Sequence, residues 1–414
     1  MKAPREDEYS FGAIPTCDPL IVPLRTGLIC YKNRGRGGFM KKLLAFLTGA
    51  AILSLLAGCT PQALTLSSQE RPQANTTSPD KRSSWPTKEW QTSDPENQGM
   101  DVKALNQITS YIQESKLNVD SVIVVRHGYI VHEKYMRPPW DKDKVHDIHS
   151  CTKSVMSSLV GIAVQQGKIN SLDDKIISYF PNRTIQNLDE RKRSVTLLNL
   201  MTMKGGFDWA EWTYPYSDPR NPMNQAFRSN DPVQFVLDRP MATRPGTVWA
   251  YNGGYSQIFS AMVTDKTGMN TLEFAKRNLF NPLGISEYIW RRDRQGIYNG
   301  GSGLLLTPRD MAKYGYLILN KGVWDGKQII PKDFVAESVK THTTFNANFG
   351  YGYQSWWTIQ AEGYYYAAGI RGQRIYVMEK QDLVVVTTAD LPEDSQTEAK
   401  VRQIARYAIS ACKQ

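Results

Sequence analysis

The segment at residues 148–167, IHSCTKSVMSSLVGIAVQQG, is the feature that most constrains the fold of this chain. Its periodicity is that of a helix, and apolar or small residues occupy almost all of its faces. A helix that is apolar all round is buried on every side, so other elements must surround it. Lys153 is the only charged residue between Ser150 and Gln166. The segment therefore predicts a central helix that holds a single amine.

Ser150 and Lys153 form an S-x-x-K pattern in the first turns of this helix. Residues three apart share a helix face, so the amine is expected within reach of the serine hydroxyl. Burial favours the neutral amine, which can accept the serine proton. The same spacing recurs at residues 78–81 and 410–413, outside any apolar helix, so the surroundings matter more than the spacing. The alternative is that the lysine extends to solvent and only its stem covers apolar surface.

The N-terminal part of the chain is predicted to be a leader and a tether. Residues 40–59 combine two lysines, an apolar run and a small-residue ending, which is typical of a secretory signal. Residues 1–39 lack periodicity and are interpreted as an extension from a start codon assigned too early, the alternative being an uncleaved anchor. Residues 60–95 are polar and rich in Ser, Thr and Pro, as in a flexible linker. The domain is expected at residues 96–414.

The signal ends in Leu56-Ala57-Gly58-Cys59, which resembles the bacterial lipobox. The resemblance implies a lipid on Cys59, and Thr60 after it is compatible with sorting to the outer membrane. We therefore expect a lipoprotein of the bacterial cell envelope, anchored in the outer membrane and facing the periplasm. The formal charge of +10 is diffuse, with no basic stripe between aromatic residues, which argues against nucleic-acid binding.

The order of predicted elements indicates the fold class. A helix with Asp101 as N-cap is followed by a hairpin around His127-Gly128, a long, mostly helical region, three strands near the C-terminus and a last helix. This order predicts an α/β (α+β) fold: an antiparallel sheet flanked by N- and C-terminal helices, with a mostly helical inserted region. A cleft between two such parts is a natural ligand site.

The helix and several other segments resemble one family in their usual order. They include LLNLMTMKGGFDW, GGSGLLLTPRDMAKYG and RPGTVWAYNGGYSQI. The chain resembles the serine β-lactamase and penicillin-binding-protein superfamily, in its class C-like branch, and looks most like nylon-oligomer (aminohexanoate-dimer) hydrolases and related esterases. The resemblance implies the β-lactamase/transpeptidase-like fold, Ser150 as nucleophile, and Lys153 and Tyr251 as the groups that move its proton. The motif asparagine is displaced to Asn252, and Gly253 occupies its usual place.

The third motif of this superfamily is represented by AAGIRGQRIYV. Gly369 matches the motif glycine, whereas Ala367 and Ala368 replace the two side chains that would hold a β-lactam carboxylate. By resemblance, the backbone N–H groups of Ser150 and Ile370 would form the oxyanion hole.

Further residues are candidates for substrate binding: Tyr214 in an aromatic loop, Asn252, Gly369, and Arg371 or Arg374 as a substitute anchor for a carboxylate. The five histidines show no complete ligand spacing, so neither a metal nor another cofactor is expected.

The sequence therefore predicts a serine hydrolase that forms an acyl-enzyme on Ser150. The expected substrate is a small amide or ester, or a cell-wall peptide, and efficient β-lactam hydrolysis is less expected than esterase or linear-amidase activity. One alternative is a D-alanyl-D-alanine carboxypeptidase or endopeptidase. Another is a non-catalytic peptidoglycan-binding lipoprotein. No feature of the sequence indicates an oligomeric state.

Overall fold

An antiparallel eight-stranded sheet forms the framework of the computed structural model, which describes residues 84–346, 348–394 and 396–413. The strands of the described residues are β1 Val119–Arg126, β2 Tyr129–Tyr135, β3 His146–Asp147, β4 Tyr288–Trp290, β5 Leu304–Leu306, β6 Val323–Trp324, β7 Lys327–Gln328, β8 Thr343–Thr344, β9 Gly350–Tyr351, β10 Trp356–Ile359, β11 Tyr364–Gly369, β12 Gln373–Met378 and β13 Leu383–Ala389. The large sheet has the order β2-β1-β13-β12-β11-β10-β9-β8, while β3, β5 and β4 form a three-stranded sheet and β6 pairs with β7. Strands from both ends of the domain meet in the β1–β13 pair, so the predicted fold class is confirmed.

Helices lie on both faces of the sheet and in the region between β2 and β8. The α-helices are α1 Val102–Glu114, α2 Cys151–Gln165, α3 Glu190–Ser194, α4 Leu197–Met201, α5 Pro222–Arg228, α6 Pro232–Asp238, α7 Gly254–Thr267, α8 Thr271–Ala275, α9 Asn281–Leu283, α10 Pro308–Leu319, α11 Lys332–Ser338 and α12 Thr397–Ser410. Within the described residues, no helix is both long and apolar enough to span a bilayer.

The two faces of the sheet belong to two apolar cores. Alternate residues of β1 point to opposite faces, as strand geometry requires. Val122 and Val124 join the core beneath α1 and α12, while Ile123 and Val125 join the larger core that includes α2 and α10. Because both faces are covered, all eight residues of β1 are buried and its sequence has no polar alternation.

Helix α2 lies inside the larger core, as its composition predicts. Residues 151–163 of the helix are all buried. It packs against α7, β11, β12 and α11. Gly161 allows one of these contacts, because a Cβ at this position would lie 2.6 Å from the Phe334 ring.

The linker predicted at residues 60–95 ends earlier than its composition indicates. Trp90 is buried and its indole N–H donates to the carbonyl of Arg309 at 3.1 Å. Trp85 packs against Tyr316 and Trp324, with ring centroids 5.6 and 5.2 Å apart. Backbone hydrogen bonds of Gln91 and Ser93 with Ile130 on β2 also hold residues 84–95 on the domain. The predicted extension, signal and lipidated Cys59 lie outside the described residues.

Candidate active site

Ser150 lies at the N-cap of α2, on a tight turn between β3 and the helix. Its side chain makes no capping hydrogen bond, so the hydroxyl is left available. Tyr251 donates its phenol hydrogen to Ser150 Oγ at 2.8 Å, and Lys153 Nζ lies 3.0 Å from the same oxygen. The preceding residue, His149, has a left-handed φ of 46°, a conformation that costs energy for a non-glycine residue and recurs at functional sites.

Lys153 does not extend to solvent, since only 2% of it is exposed. Its Nζ donates to the carbonyl of Gly301 at 2.8 Å and to Ser150 Oγ. It also lies 4.9 Å from the centre of the Tyr251 ring. Its hydrogen-bond partners are therefore oxygens of uncharged groups, and the solvent-exposed alternative for this lysine is wrong.

Tyr251 is a buried phenol on the segment that enters α7. Burial raises the pKa of Tyr251, an effect that the neighbouring Lys153 amine partly offsets. A raised pKa keeps the hydroxyl protonated near neutral pH. Ser150 Oγ therefore lies between a proton donor and an amine, within hydrogen-bond distance of both.

The structure accounts for the unusual Asn252-Gly253 pair. A Cβ at Gly253 would lie 2.8 Å from Met223 Sδ and 3.2 Å from Glu211 Oε1, so no side chain fits there without a shift. Asn252 has 0% exposure, and its Oδ1 would lie 3.0 Å from a Cβ at Gly254 in the first turn of α7. The structure thus does not bring Asn252 to a place where substrate would contact it.

Glu211 is a site residue that the sequence reasoning missed. Its buried carboxylate accepts hydrogen bonds from Gly253 N at 2.6 Å, Trp209 Nε1 at 2.7 Å and Tyr216 Oη at 2.8 Å. These bonds tie the loop at residues 207–216 to the segment that carries Tyr251. The available signal was the single acidic residue between Trp209 and Tyr216 in an otherwise aromatic stretch.

Gly369 ends β11 directly beside the turn that presents Ser150. A Cβ here would lie 2.3 Å from the carbonyl oxygen of Ile148 and 3.1 Å from the Cβ of His149. Glycine is therefore needed for the end of the strand to approach this closely. Ile370 follows at once, which brings its backbone to the same edge. Among the hydrogen bonds of the described residues, none uses the Ser150 N–H as donor.

Neither predicted carboxylate anchor is free. Arg374 is buried, bonds to the carbonyl of Gly369 and forms an ion pair with Glu398 at 2.6 Å. Arg371 forms an ion pair with Asp390 at 2.8 Å, with Glu393 at 3.6 Å from its Nε. Each guanidinium is already neutralised, so the structure gives no support to the prediction that one of them binds a substrate carboxylate.

Tyr214, predicted to bind substrate, makes no ring contact with Tyr251 among the described residues, whereas Trp212 of the same loop does. The Tyr214 ring lies under the guanidinium of Arg220 at 4.3 Å. Trp212 instead stacks on the Tyr251 ring, with centroids 4.7 Å apart and planes 20° from parallel. The sequence could not show which of the two contacts Tyr251, because Trp212 and Tyr214 stand in the same loop, two residues apart.

The structure adds no metal candidate in the part of the chain that it describes. There, no three His, Cys, Asp or Glu side chains form a group able to hold an ion. His146, next to the site in sequence, lies against the Trp140 ring with centroids 3.9 Å apart.

Comparisons with known proteins identify the family of this chain. The Beta-lactamase family model matches residues 105–408. A 6-aminohexanoate-dimer hydrolase from Paenarthrobacter ureafaciens is 22% identical over 305 residues, covering 66% of this chain and 73% of the relative. A lovastatin esterase from Penicillium rubens is 25% identical over 170 residues, covering 36% of this chain and 41% of the esterase.

The fold is also found in solved structures of low sequence identity. The octameric penicillin-binding protein homologue from Pyrococcus abyssi superposes with a TM-score of 0.60 at 18% identity, covering 74% of this chain and 77% of that one. With the family model matching most of the domain and the Ser150 site inside it, the chain belongs to the beta-lactamase family and is a serine hydrolase.

Proposed function

We propose that this protein hydrolyses carboxylic esters, and linear amides more slowly, through an acyl-enzyme on Ser150. One observation carries the proposal: Tyr251 Oη and Lys153 Nζ both lie within 3.0 Å of Ser150 Oγ, in a buried site. A serine hydroxyl is a weak nucleophile until a neighbouring group takes its proton. An amine with no carboxylate among its hydrogen-bond partners can do this in its neutral form.

In the proposed reaction, Lys153 accepts the proton of Ser150 as Oγ forms a bond to the carbonyl carbon. The resulting oxyanion is bound by the backbone N–H groups of Ser150 and Ile370. Tyr251 donates its proton to the departing alkoxide or amine and regains one from Lys153, so the bond to the leaving group breaks. Water then attacks the acyl-enzyme through the same proton transfers in reverse, which releases the acid and restores the hydroxyl.

Esters and linear amides fit this site better than β-lactams. Ala367 and Ala368 offer no side-chain donor to a β-lactam carboxylate, and Arg371 and Arg374 are paired with acids. The names of the two relatives, a 6-aminohexanoate-dimer hydrolase and a lovastatin esterase, support the same choice. A cell-wall carboxypeptidase would need to bind the free carboxylate of its peptide, for which these residues provide no obvious cation.

The test is labelling and turnover by the full-length protein and its Ser150→Ala variant. We expect a fluorophosphonate probe to label the parent, p-nitrophenyl acetate to be hydrolysed, and both to be lost in the variant. Ser154→Ala is the matched control, since Ser154 is a buried serine one turn along the same helix. We expect it to keep both activities.

Other outcomes distinguish the alternatives. Labelling by a fluorescent penicillin as well, with release of D-alanine from a pentapeptide, would favour the carboxypeptidase. Neither labelling nor turnover, combined with retention on peptidoglycan, would overturn the hydrolase proposal in favour of the binding protein.

We also propose that Cys59 carries a lipid that anchors the domain to the outer membrane, with the domain facing the periplasm. The lipobox resemblance of residues 56–59 supports this. Incorporation of a clickable fatty acid that is lost in Cys59→Ala would support the proposal. Equal incorporation by both proteins would contradict it.

A further inference from the structure

An exposed aromatic surface adjoins Tyr251. It consists of Trp212, Trp249, Phe345 and Trp357, and is called the aromatic wall below. Two of its members are unusually exposed for large apolar residues, Trp212 at 51% and Phe345 at 42%. Single exposed apolar residues are normal, but a contiguous patch marks a binding site.

The members of the wall contact one another in a continuous series that begins at Tyr251. Trp212, stacked on the Tyr251 ring, lies 5.4 Å from Trp249 by ring centroids. Phe345 packs edge-on against Trp249 at 4.8 Å, and Trp357 lies 5.8 Å from Phe345. The wall thus extends from the ring of Tyr251 to the β8–β9 hairpin at the edge of the sheet.

The charge around the site indicates what this surface can bind. None of the four wall residues carries a charge. The two arginines nearest Gly369 are held in ion pairs, and Lys153 is buried. A substrate with a charged end would lose water on this surface without gaining a counter-ion, which is unfavourable. A neutral alkyl or aryl group would instead cover exposed rings.

We propose that the aromatic wall binds a neutral, apolar leaving group, the alcohol part of an ester or the amine part of an amide. The inference rests on the proposed function, in which Tyr251 protonates the leaving group. The part of the substrate next to Tyr251 is then the alcohol or amine, and Trp212 is the first surface that this part meets. The substrates are accordingly apolar esters and amides that are extended on the leaving-group side.

Isomeric esters test the inference, because they contain the same atoms and differ only in which side of the carbonyl is long. Hexyl acetate and ethyl hexanoate form one pair, and butyl acetate and ethyl butanoate form another. With the full-length protein, we expect kcat/KM for hexyl acetate to exceed that for ethyl hexanoate roughly tenfold, since several methylenes would be buried on the wall. The ratio of kcat/KM for butyl acetate to kcat/KM for ethyl butanoate should be smaller, because a shorter chain covers less of the wall.

Phe345→Ala is the informative variant, because the ring contacts Trp249, Tyr351 and Trp357 but not Tyr251. The hexyl ratio is kcat/KM for hexyl acetate divided by kcat/KM for ethyl hexanoate. We expect Phe345→Ala to lower this ratio at least threefold, and Trp212→Ala to have a larger effect. Ile289→Ala is the control, an equally exposed apolar residue at 53% on β4 that is not part of the wall. It should leave the ratio unchanged.

The outcomes separate the inference from the proposed function. Ester hydrolysis by the parent with a hexyl ratio near one, or one that favours ethyl hexanoate, would overturn the inference and leave the hydrolase intact. A ratio that Phe345→Ala and Ile289→Ala alter equally would also overturn it. Absence of turnover for every ester, with no fluorophosphonate labelling, would instead remove the proposed function itself.

Discussion

At the scale of single residues, Glu211 combines two effects on Tyr251. Its carboxylate fixes the backbone two residues beyond Tyr251 through the hydrogen bond from Gly253 N. Its negative charge also acts on the phenol and raises the pKa of Tyr251, in the same direction as burial. Lys153 acts in the opposite direction, so the pKa of the phenol depends on both neighbours. Glu211 is thus a positioning residue that also keeps Tyr251 protonated.

Replacing Glu211 by Gln should lower the pKa of Tyr251. The substitution removes the negative charge that disfavours the ionised phenol but retains the shape of the side chain. The measurement is a 19F NMR titration of fluorotyrosine placed at position 251, with and without Glu211→Gln. Tyr216→Phe is the matched control, because it removes one donor to the carboxylate and keeps the charge.

The titration separates electrostatics from packing. If Glu211 only held the loop in place, Glu211→Gln and Tyr216→Phe would reduce activity and leave the midpoint at position 251 unchanged. An unchanged or raised midpoint in Glu211→Gln would therefore refute the electrostatic role. The other titratable phenols near Tyr251 are those of Tyr216 and Tyr351, and burial raises the pKa of each.

At the scale of elements, the site depends on how closely β11 approaches the turn before α2. Gly369→Ala should reduce kcat/KM by at least a hundredfold. Its new methyl group would lie against the carbonyl of Ile148, and a backbone atom cannot rotate away. Overpacking of this kind costs about 1–3 kcal/mol of stability. A shift of about 1 Å at a catalytic centre can cost a hundredfold in rate.

Two measurements on this variant are needed together, kcat/KM with p-nitrophenyl acetate and the free energy of unfolding in urea. We expect activity to fall far more than stability, because the strain lies beside Ser150. Ala368→Ser, at the preceding position of β11, is the control and should affect both only slightly. Full activity in Gly369→Ala would show that the close approach is not needed for catalysis.

The elements that sequence could predict are those whose patterns are set locally. The apolar residues around Lys153, the runs of valine in β1 and β13, and the helical spacing of apolar residues in α1 are each visible within a short stretch of sequence. The motif tyrosine and the glycine of β11 were located by resemblance. The packed segment at residues 84–95 was not predicted, since two tryptophans in a polar stretch do not show where they will dock.

Site residues whose role depends on loop geometry could not be predicted from the sequence either. Glu211 and Trp212 reach Tyr251 only through the path of the loop after Phe207, and no residue spacing encodes that path. Arg371 and Arg374 were predicted to be available, because their partners Asp390 and Glu398 are distant in sequence. Long-range pairing of this kind becomes visible only in the folded chain.

At the scale of the whole domain, buried histidines link stability to pH. His132 on β2 and His146 on β3 are buried, and burial lowers the pKa of each to about 4. In the unfolded chain their pKa is about 6.5. The unfolded state therefore binds more protons below pH 6.5, so stability is full above this pH and falls as the pH approaches 4. Each histidine contributes up to roughly 3 kcal/mol to this loss.

His132→Leu should make the stability of the domain less dependent on pH. His132 is the better of the two histidines to replace, because a second titratable group, the carboxyl of Asp120, lies 3.8 Å from His146. Burial raises the pKa of Asp120 to about 6, which opposes the loss of stability as the pH falls.

We expect the free energy of unfolding in urea to drop between pH 7 and pH 4.5 in the parent, and to drop by about 2 kcal/mol less in His132→Leu. Val131→Leu, the neighbouring buried position on β2, removes no titratable group and should keep the pH dependence of the parent. Equal slopes for the parent and His132→Leu would show that His132 accepts its proton without unfolding the domain.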